Sequence, residues 1–561
     1  MRIALLLLLA TFSIHAQTPN ATQAADDARA AKVDALFAEW NRADTPGYSV
    51  AVIRDGKTVL ARGYGSADLE RDVRITPRSV FDIGSTSKQF TAASILLLEQ
   101  EGKLSIDHEV RKYIPELRDY GKPLTIRHLL NHTSGIRDYL TLAALGGLSF
   151  SNDYSDEETL SWITAQKALN FLPGEEHLYS NSGYYLLGQI VERASGMSLR
   201  QYAAKKIFEP LGMTNTHFHD DPDEIVKHRA IAYSPAKNGF RIDMSRYHVV
   251  GDGAVYTTTE DLAKWDTNFY QPKVGGAALL DALQQRGKLN NGEQLDYAAG
   301  LSHGTHRGFR LVGHGGGWAG YRTDMIRFPE QRLTVIAISN LGSADPSSMA
   351  RSVAEIYLDA PLPSNSGAKS EAKAEAPKPS EAKAVTLSAA ELEKLAGQYV
   401  DRKQGSYATV QLRDGKLYYL RGTRPYELRP LGNGRFEMVG PPVSMTFQGD
   451  TLEVQMRGKP FASMQRTTDA PVLSATDLAA YAGEYRSEEV PAPHRLRVHE
   501  GKLVARAGYD TKDVVLWPRE RDVFEGDGLT LRFVRDDKGA IVAYSVNAGR
   551  VQNIRFERVQ R

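Results

Sequence analysis

The stretch Phe81-Asp82-Ile83-Gly84-Ser85-Thr86-Ser87-Lys88-Gln89-Phe90-Thr91-Ala92-Ala93-Ser94-Ile95-Leu96-Leu97-Leu98 decides how this chain is read. Its second half is an apolar-rich run that predicts a buried helix, with Ser85 on the first turn. Amides at that position are unpaired and the helix dipole favours negative charge. Lys88 follows three residues later, shares the face of Ser85 and is within reach of its hydroxyl. A lone Ser-x-x-Lys carries little weight. Ser370-Lys373 and Ser380-Lys383 match it inside a segment where no chemistry is expected. The plain reading of any one such match is a capping serine beside a solvated lysine.

Working outward, two more motifs fall in order. Tyr179-Ser180-Asn181 follows the turn signal Phe171-Leu172-Pro173-Gly174 and precedes Tyr184, Leu186, Leu187, Ile190 and Val191, which read as a helix. A phenol is a poor base at neutral pH unless a cation holds its anion, and Lys88 is the cation these motifs supply. Lys88 and Tyr179 are therefore read as one titrating unit. The Asn181 amide is suited to orient Lys88 or grip a substrate carbonyl. His314 ends the run Phe309-Arg310-Leu311-Val312, read as a strand, and Gly315-Gly316-Gly317 then let another backbone approach without a side chain between. The amides of Gly317 and Ser85 are the expected oxyanion donors. Residues 320–328 and 332–339, split by Pro329-Glu330-Gln331, predict a hairpin in the same sheet. A first hairpin, Tyr48–Arg62 turning at Asp55-Gly56, is expected to join it. The set supplies a nucleophile, two proton carriers and a glycine-lined strand, which is the equipment of serine acyl transfer without a Ser-His-Asp triad.

On these residues the chain resembles the penicillin-recognising serine hydrolases: class C β-lactamases, DD-carboxypeptidases, D-aminopeptidases and related esterases. The resemblance covers about residues 31–360 and includes Leu129-Leu130-Asn131-His132-Thr133-Ser134-Gly135-Ile136, similar to the family's LLxHTSG segment. It also includes Pro173-Gly174 before Tyr179-Ser180-Asn181-Ser182-Gly183-Tyr184, and Gly316 before Gly320-Tyr321. It implies that Ser85 is acylated, that Lys88 and Tyr179 shuttle the proton, and that Asn181, His314, Gly316 and Gly317 bind substrate. His314 stands where β-lactamases carry the Lys of Lys-Thr-Gly, whose fixed charge helps to hold a substrate carboxylate. An imidazole with the ordinary pKa near 6.5 is mostly neutral at pH 7 and changes charge between about pH 5.5 and 7.5. That substitution favours the peptidase branches over the β-lactamases. The implied fold is an antiparallel sheet flanked by helices, with a helical subdomain over about residues 90–250. No cofactor and no metal is implied.

The rest of the chain is organised around this unit. Its 561 residues suggest about three or four domains. The net charge of +1, from 69 basic and 68 acidic residues, gives no reason to expect attraction to nucleic acid or to membranes. Met1-Arg2 before Ile3-Ala4-Leu5-Leu6-Leu7-Leu8-Leu9-Ala10 predicts a cleaved signal peptide over residues 1–16, hence a periplasmic or secreted protein without a transmembrane anchor. The absence of cysteine excludes disulfides and thiol catalysis. Residues 361–386 are Pro, Ala, Lys, Glu and Ser with almost no large apolar side chain, and predict a solvated linker.

Beyond the linker lies a repeat with an offset of 86 residues, aligning Leu395-Ala396-Gly397-Gln398-Tyr399 with Tyr481-Ala482-Gly483-Glu484-Tyr485 and Phe447 with Phe533. Each copy is a string of short alternating strands with turns such as Asp414-Gly415 and Gly449-Asp450. The copies, 387–468 and 473–561, predict small antiparallel β-barrels similar to the lipocalin-like modules of some D-aminopeptidases. They act either as a substrate selector or as passive docking modules. His303 and His306, and the group His217, His219, Asp220 and Asp221, are read as solvated loops rather than metal sites. The expected function is hydrolysis of a small-peptide amide beside a D-residue through an acyl-enzyme. The alternatives are an esterase, a β-lactamase, and a penicillin-binding regulator that keeps the motifs but turns over negligibly.

Overall fold

The computed structural model describes residues 21–148, 154–358, 385 and 387–560, apart from 404, 422–423, 442, 457–458, 469 and 511. The expected leader 1–16, and the expected linker except residue 385, lie outside the described residues.

The central sheet has six antiparallel strands: β1 (Tyr48–Arg54), β2 (Lys57–Tyr64), β3 (Ser302–His306), β4 (Phe309–Trp318), β5 (Tyr321–Phe328) and β6 (Leu333–Ser339). They lie in the order β3-β4-β5-β6-β1-β2, so the first hairpin joins the last strands as expected. β1 and β6 are apolar on both sides because both faces of the sheet are covered. Val50, Val52, Val335 and Ala337 pack with Val33 and Phe37 around helix α1 (Ala21–Leu36), and with Val353 and Ala354. Ala51, Ile53, Ile336 and Ile338 face a helical region. Its centre is α2 (Lys88–Gln100), buried at every position from Lys88 to Leu98, which is why its sequence shows no polar face. The Tyr179 motif leads into α4 (Asn181–Ser195), after the short helix α3 (Tyr139–Leu145).

Two details differ from the sequence reading. Ser85 lies on a 3₁₀ turn, Gly84–Ser87, immediately before α2 rather than inside its first turn, and it makes no capping hydrogen bond. β4 does not end at His314 but runs through the glycines to Trp318, paired residue by residue with β5. The glycines keep strand geometry because β5 supplies their partners, while their missing side chains make room for the Ser85 turn. A Cβ at Gly316 would lie 1.9 Å from the carbonyl oxygen of Ile83 and 3.0 Å from the amide nitrogen of Ser85. A Cβ at Gly84, whose φ is +49°, would lie 2.7 Å from the amide nitrogen of Gly317.

Each C-terminal repeat closes into an eight-stranded barrel whose neighbours follow chain order, one from Gly397–Asp401 to Lys459–Thr467 and one from Gly483–Arg486 to Val551–Arg558. The 86-residue offset survives in space. Tyr399 meets Phe447 edge-on at 5.8 Å in the first barrel, and Tyr485 meets Phe533 at 6.1 Å in the second.

The second barrel is docked on the N-terminal unit. Leu142 and Leu145 of α3 are part of that barrel's apolar core. His494 of the barrel hydrogen-bonds the carbonyl of Leu145 through Nε2 at 2.6 Å. Arg137, fully buried, donates to Glu489 at 2.6 Å and to the carbonyl of Gln552 at 2.8 Å. Separating such a pair would leave a buried unpaired charge, at a cost of about 3–5 kcal/mol.

Candidate active site

The three motifs converge on one cavity of about 450 Å³. Ser85 comes from the 3₁₀ turn, Tyr179 and Asn181 from the entry to α4, and His314 to Gly317 from β4. Lys88 lies beneath the wall with no solvent exposure. Its ammonium donates to Ser85 Oγ at 3.2 Å, to Asn181 Oδ1 at 3.0 Å and to the carbonyl of Asp252. Three acceptors saturate the three N–H donors, which is how a buried cation is tolerated. The expected Asn181–Lys88 contact is therefore present.

Lys88 and Tyr179, read as one titrating unit, make no hydrogen bond to each other. The ammonium of Lys88 lies 5.0 Å from the centroid of the Tyr179 ring, and the Tyr179 hydroxyl is buried with no hydrogen-bond partner among the described residues. A buried hydroxyl without a partner costs roughly 1–3 kcal/mol, so folding is opposed at this atom. The ring is held by His132, 4.1 Å away centroid to centroid. His132 itself takes φ +56°, and its Nδ1 accepts the amide of Ser180 at 3.1 Å. Burial, reinforced by the Lys88 charge, keeps His132 neutral and far below the ordinary histidine range.

His314 is neutral for the same reason. Its Nδ1 donates to the carbonyl of Gly315 at 2.6 Å and its Nε2 accepts from Tyr297 Oη at 3.1 Å, a tautomer assigned from these partners. Burial, followed by the nearby Lys88, pushes its pKa down to about 4. This corrects the expected charge change between pH 5.5 and 7.5, because neither the burial nor the Lys88 field is visible in the local sequence. The sign is that of a group harder to protonate when folded. Below about pH 6.5 the unfolded chain binds a proton that the folded protein refuses until about pH 4. Stability is thus lost as pH falls through that window, by about 3 kcal/mol from this residue. Denaturant titrations of wild type and His314→Gln should show the difference between them shifting by that amount in favour of Gln from pH 7 to pH 4. A constant difference would contradict the assignment.

Two buried acids that the sequence did not single out line the same cavity. Asp82 is pushed up to about 7 by burial, although its Oδ1 accepts the amide of Gly84 at 2.7 Å. Asp252 is pushed up to about 6 by burial against the opposing field of Lys88, and accepts from Tyr139 Oη at 3.1 Å. Asp138 accepts the amide of Asn181 at 2.7 Å and so holds the start of α4. A further lining residue, Arg550, comes from the second barrel, 236 residues beyond His314, and no local signal marks it.

Of the histidine groups read as solvated loops, His303, His306 and His217 lie on strands, whereas His219, Asp220 and Asp221 lie in no helix or strand, as expected. His303 and His306 lie on β3, and His306 contacts Glu355 at 3.1 Å. His217 begins a two-residue strand, and His217 Nε2, His219 Nδ1 and the Glu224 carboxylate lie within 4.8 Å of one another, a grouping that could hold a metal ion. Glu224 is already forked by Arg200 at 2.8 Å from each oxygen, and the two imidazoles face each other at 3.2 Å.

The family model described as Beta-lactamase matches residues 30–358. The chain belongs to this family. Penicillin-binding protein 4* of Bacillus subtilis (strain 168) is 34% identical over 313 residues, spanning 52% of this chain and 67% of that protein. A D-aminopeptidase of Brucella anthropi is 27% identical over 536 residues, spanning 92% of this chain and 96% of that protein, so the similarity extends through both barrels. Among solved structures, the octameric penicillin-binding protein homologue from Pyrococcus abyssi superposes with a TM-score of 0.53 at 24% identity. That match covers 86% of this chain and 99% of the other, and the fold is shared.

Proposed function

We propose that this Beta-lactamase family member is an exported serine hydrolase that cleaves amide bonds of small peptides beside a D-residue through an acyl-enzyme. The observation that carries the reading is the 3.2 Å contact from a fully buried Lys88 ammonium to Ser85 Oγ, at the rim of a cavity edged by backbone glycine. Ser85 Oγ attacks the scissile carbonyl carbon in the form of the Lys88–Tyr179 unit that holds one proton fewer, and the serine proton passes to the Tyr179 oxygen while the Lys88 ammonium stays beside it. The tetrahedral oxyanion rests on the amides of Ser85 and Gly317. Tyr179 returns the proton to the departing amine, the carbon–nitrogen bond breaks, and water later releases the acyl group by the same path in reverse. The cavity volume suits a ligand of dipeptide size. The near-full-length similarity to a D-aminopeptidase supports a D-peptide over an ester or a β-lactam. Export rests on the apolar start of the sequence.

The test is a panel of D- and L-aminoacyl amides, dipeptides, p-nitrophenyl esters and a penicillin, with intact mass followed over time. Turnover of D-peptides or D-aminoacyl amides above their L counterparts is expected, with a transient acyl adduct. Hydrolysis confined to esters, or a permanent penicillin adduct without turnover, would replace this reading with the esterase or the penicillin-binding one.

A further inference from the structure

Arg550 sits in the turn between strands Ile541–Ala548 and Val551–Arg558 of the second barrel, and it lines the same cavity as Ser85. Its guanidinium lies 4.7 Å from the centroid of the Tyr179 ring. The turn is clamped from both sides. The carbonyl of Arg550 accepts from Asn170 Nδ2 at 2.9 Å, the amide of Gln552 donates to Asn170 Oδ1 at 2.9 Å, and Arg137 holds the carbonyl of Gln552. The guanidinium, by contrast, makes no hydrogen bond among the described residues. Its nearest acid is Asp138, at 3.7 Å, beyond hydrogen-bond distance and already engaged by the amide of Asn181. A clamped backbone therefore presents a planar fork of five donors, paired in charge with Asp138 but without a hydrogen bond, and its side chain remains 42% exposed.

The cavity carries acids as well as a base, since the buried Asp82 and Asp252 also line it. Among the described residues that line it, Arg550 is the one lysine or arginine. The lining histidines, His314 and His219, are both pushed down to about 4, chiefly by burial, and carry no charge at pH 7. Lys88 lies behind the wall, with its three donors taken up by Ser85, Asn181 and Asp252. The fixed positive charge that the His314 position lacks is thus supplied from another domain.

We infer that Arg550 is the carboxylate-binding group of this cavity, so that the second barrel selects substrates whose leaving group carries a free carboxylate. The inference rests on the function proposed above for the side of the bond it assigns. Arg550 lies over Tyr179, which there serves the departing amine, so a carboxylate in the Arg550 fork belongs to the residue that leaves. A planar guanidinium matches a carboxylate through two parallel charge-assisted hydrogen bonds. The competing role, support of Tyr179 alone, would affect acids and amides equally.

The test reads binding, so that it does not depend on turnover. N-acetyl-D-Ala-D-Ala and its C-terminal amide are titrated calorimetrically into full-length Ser85→Ala protein, alone and combined with Arg550→Gln or Arg550→Lys. The acid should bind about 10- to 100-fold more tightly than the amide, the range of a charged hydrogen bond. Arg550→Gln should erase the gap, and Arg550→Lys should keep part of it because charge remains while the fork is lost. Equal affinities, no measurable binding of the acid, or a gap that survives Arg550→Gln overturns the inference. The proposed nucleophile is judged separately, by whether Ser85→Ala abolishes hydrolysis.

Discussion

Ser85→Ala is expected to lower hydrolysis of every substrate by about four to six orders of magnitude, the effect of deleting a nucleophile whose partners act as a unit. Such a loss is roughly 5–8 kcal/mol of transition-state stabilisation. The fold should be nearly untouched. Ser85 Oγ receives one hydrogen bond, from Lys88 at 3.2 Å, and does not cap its turn. A net hydrogen bond is worth about 1 kcal/mol, and the alanine also relieves no clash and creates no cavity of consequence. Thermal unfolding should therefore stay within a few degrees of wild type while covalent labelling by a penicillin or an activated ester disappears. Labelling at the wild-type rate in the mutant would remove Ser85 from the mechanism. Ser370→Ala, in the Ser-x-x-Lys match outside the described residues, should change nothing.

Tyr179→Phe is expected to divide activity from stability. The phenol oxygen is buried and unpartnered, so its removal should raise stability by about 1 kcal/mol or more while the ring keeps its packing on His132. Turnover should fall by about 10²- to 10⁴-fold, the usual worth of a positioned proton carrier. Lys88→Ala should be at least as damaging, and it should also destabilise, because it strips Asn181 Oδ1 and the carbonyl of Asp252 of a shared donor. Each orphaned acceptor costs roughly 1–3 kcal/mol. Melts of all variants separate the two effects. If Lys88 and Tyr179 carry one proton between them, the double mutant should be far less impaired than the product of the single losses. Clean multiplication, or a Tyr179→Phe protein with full activity, rules out the shared carrier.

The contrast between these two residues shows what the sequence could and could not convey. Ser85 and Lys88 were legible because a spacing of three brings two side chains to one face on a 3₁₀ turn as it does on an α-helix. The β4 glycines were legible because a close backbone approach demands them wherever it occurs, although the extent of the strand was not, since pairing with β5 decides it. The Tyr399 and Tyr485 barrels were legible from a repeat and from alternation. His132 stood inside a quoted motif, yet its role as the support of Tyr179 depends on a positive φ and a contact across 47 residues that no pattern announces.

The sequence by itself therefore determined the hairpins, the barrels and the order and residue types of the motifs, because these follow from local spacing and from the alternation of apolar and polar side chains, and it determined the fold class of the first unit through its resemblance to a family. Only the tertiary structure decided the electrostatics and the composition of the cavity wall. His314 is held neutral by burial and by Lys88, two influences that arrive from elements far away in the chain. Arg550 reaches the cavity because α3 lends Leu142 and Leu145 to the second barrel while Arg137 and Asn170 clamp its turn. Charge acts through space over several ångströms and burial depends on everything packed around a group, so neither can be read from the residues beside it.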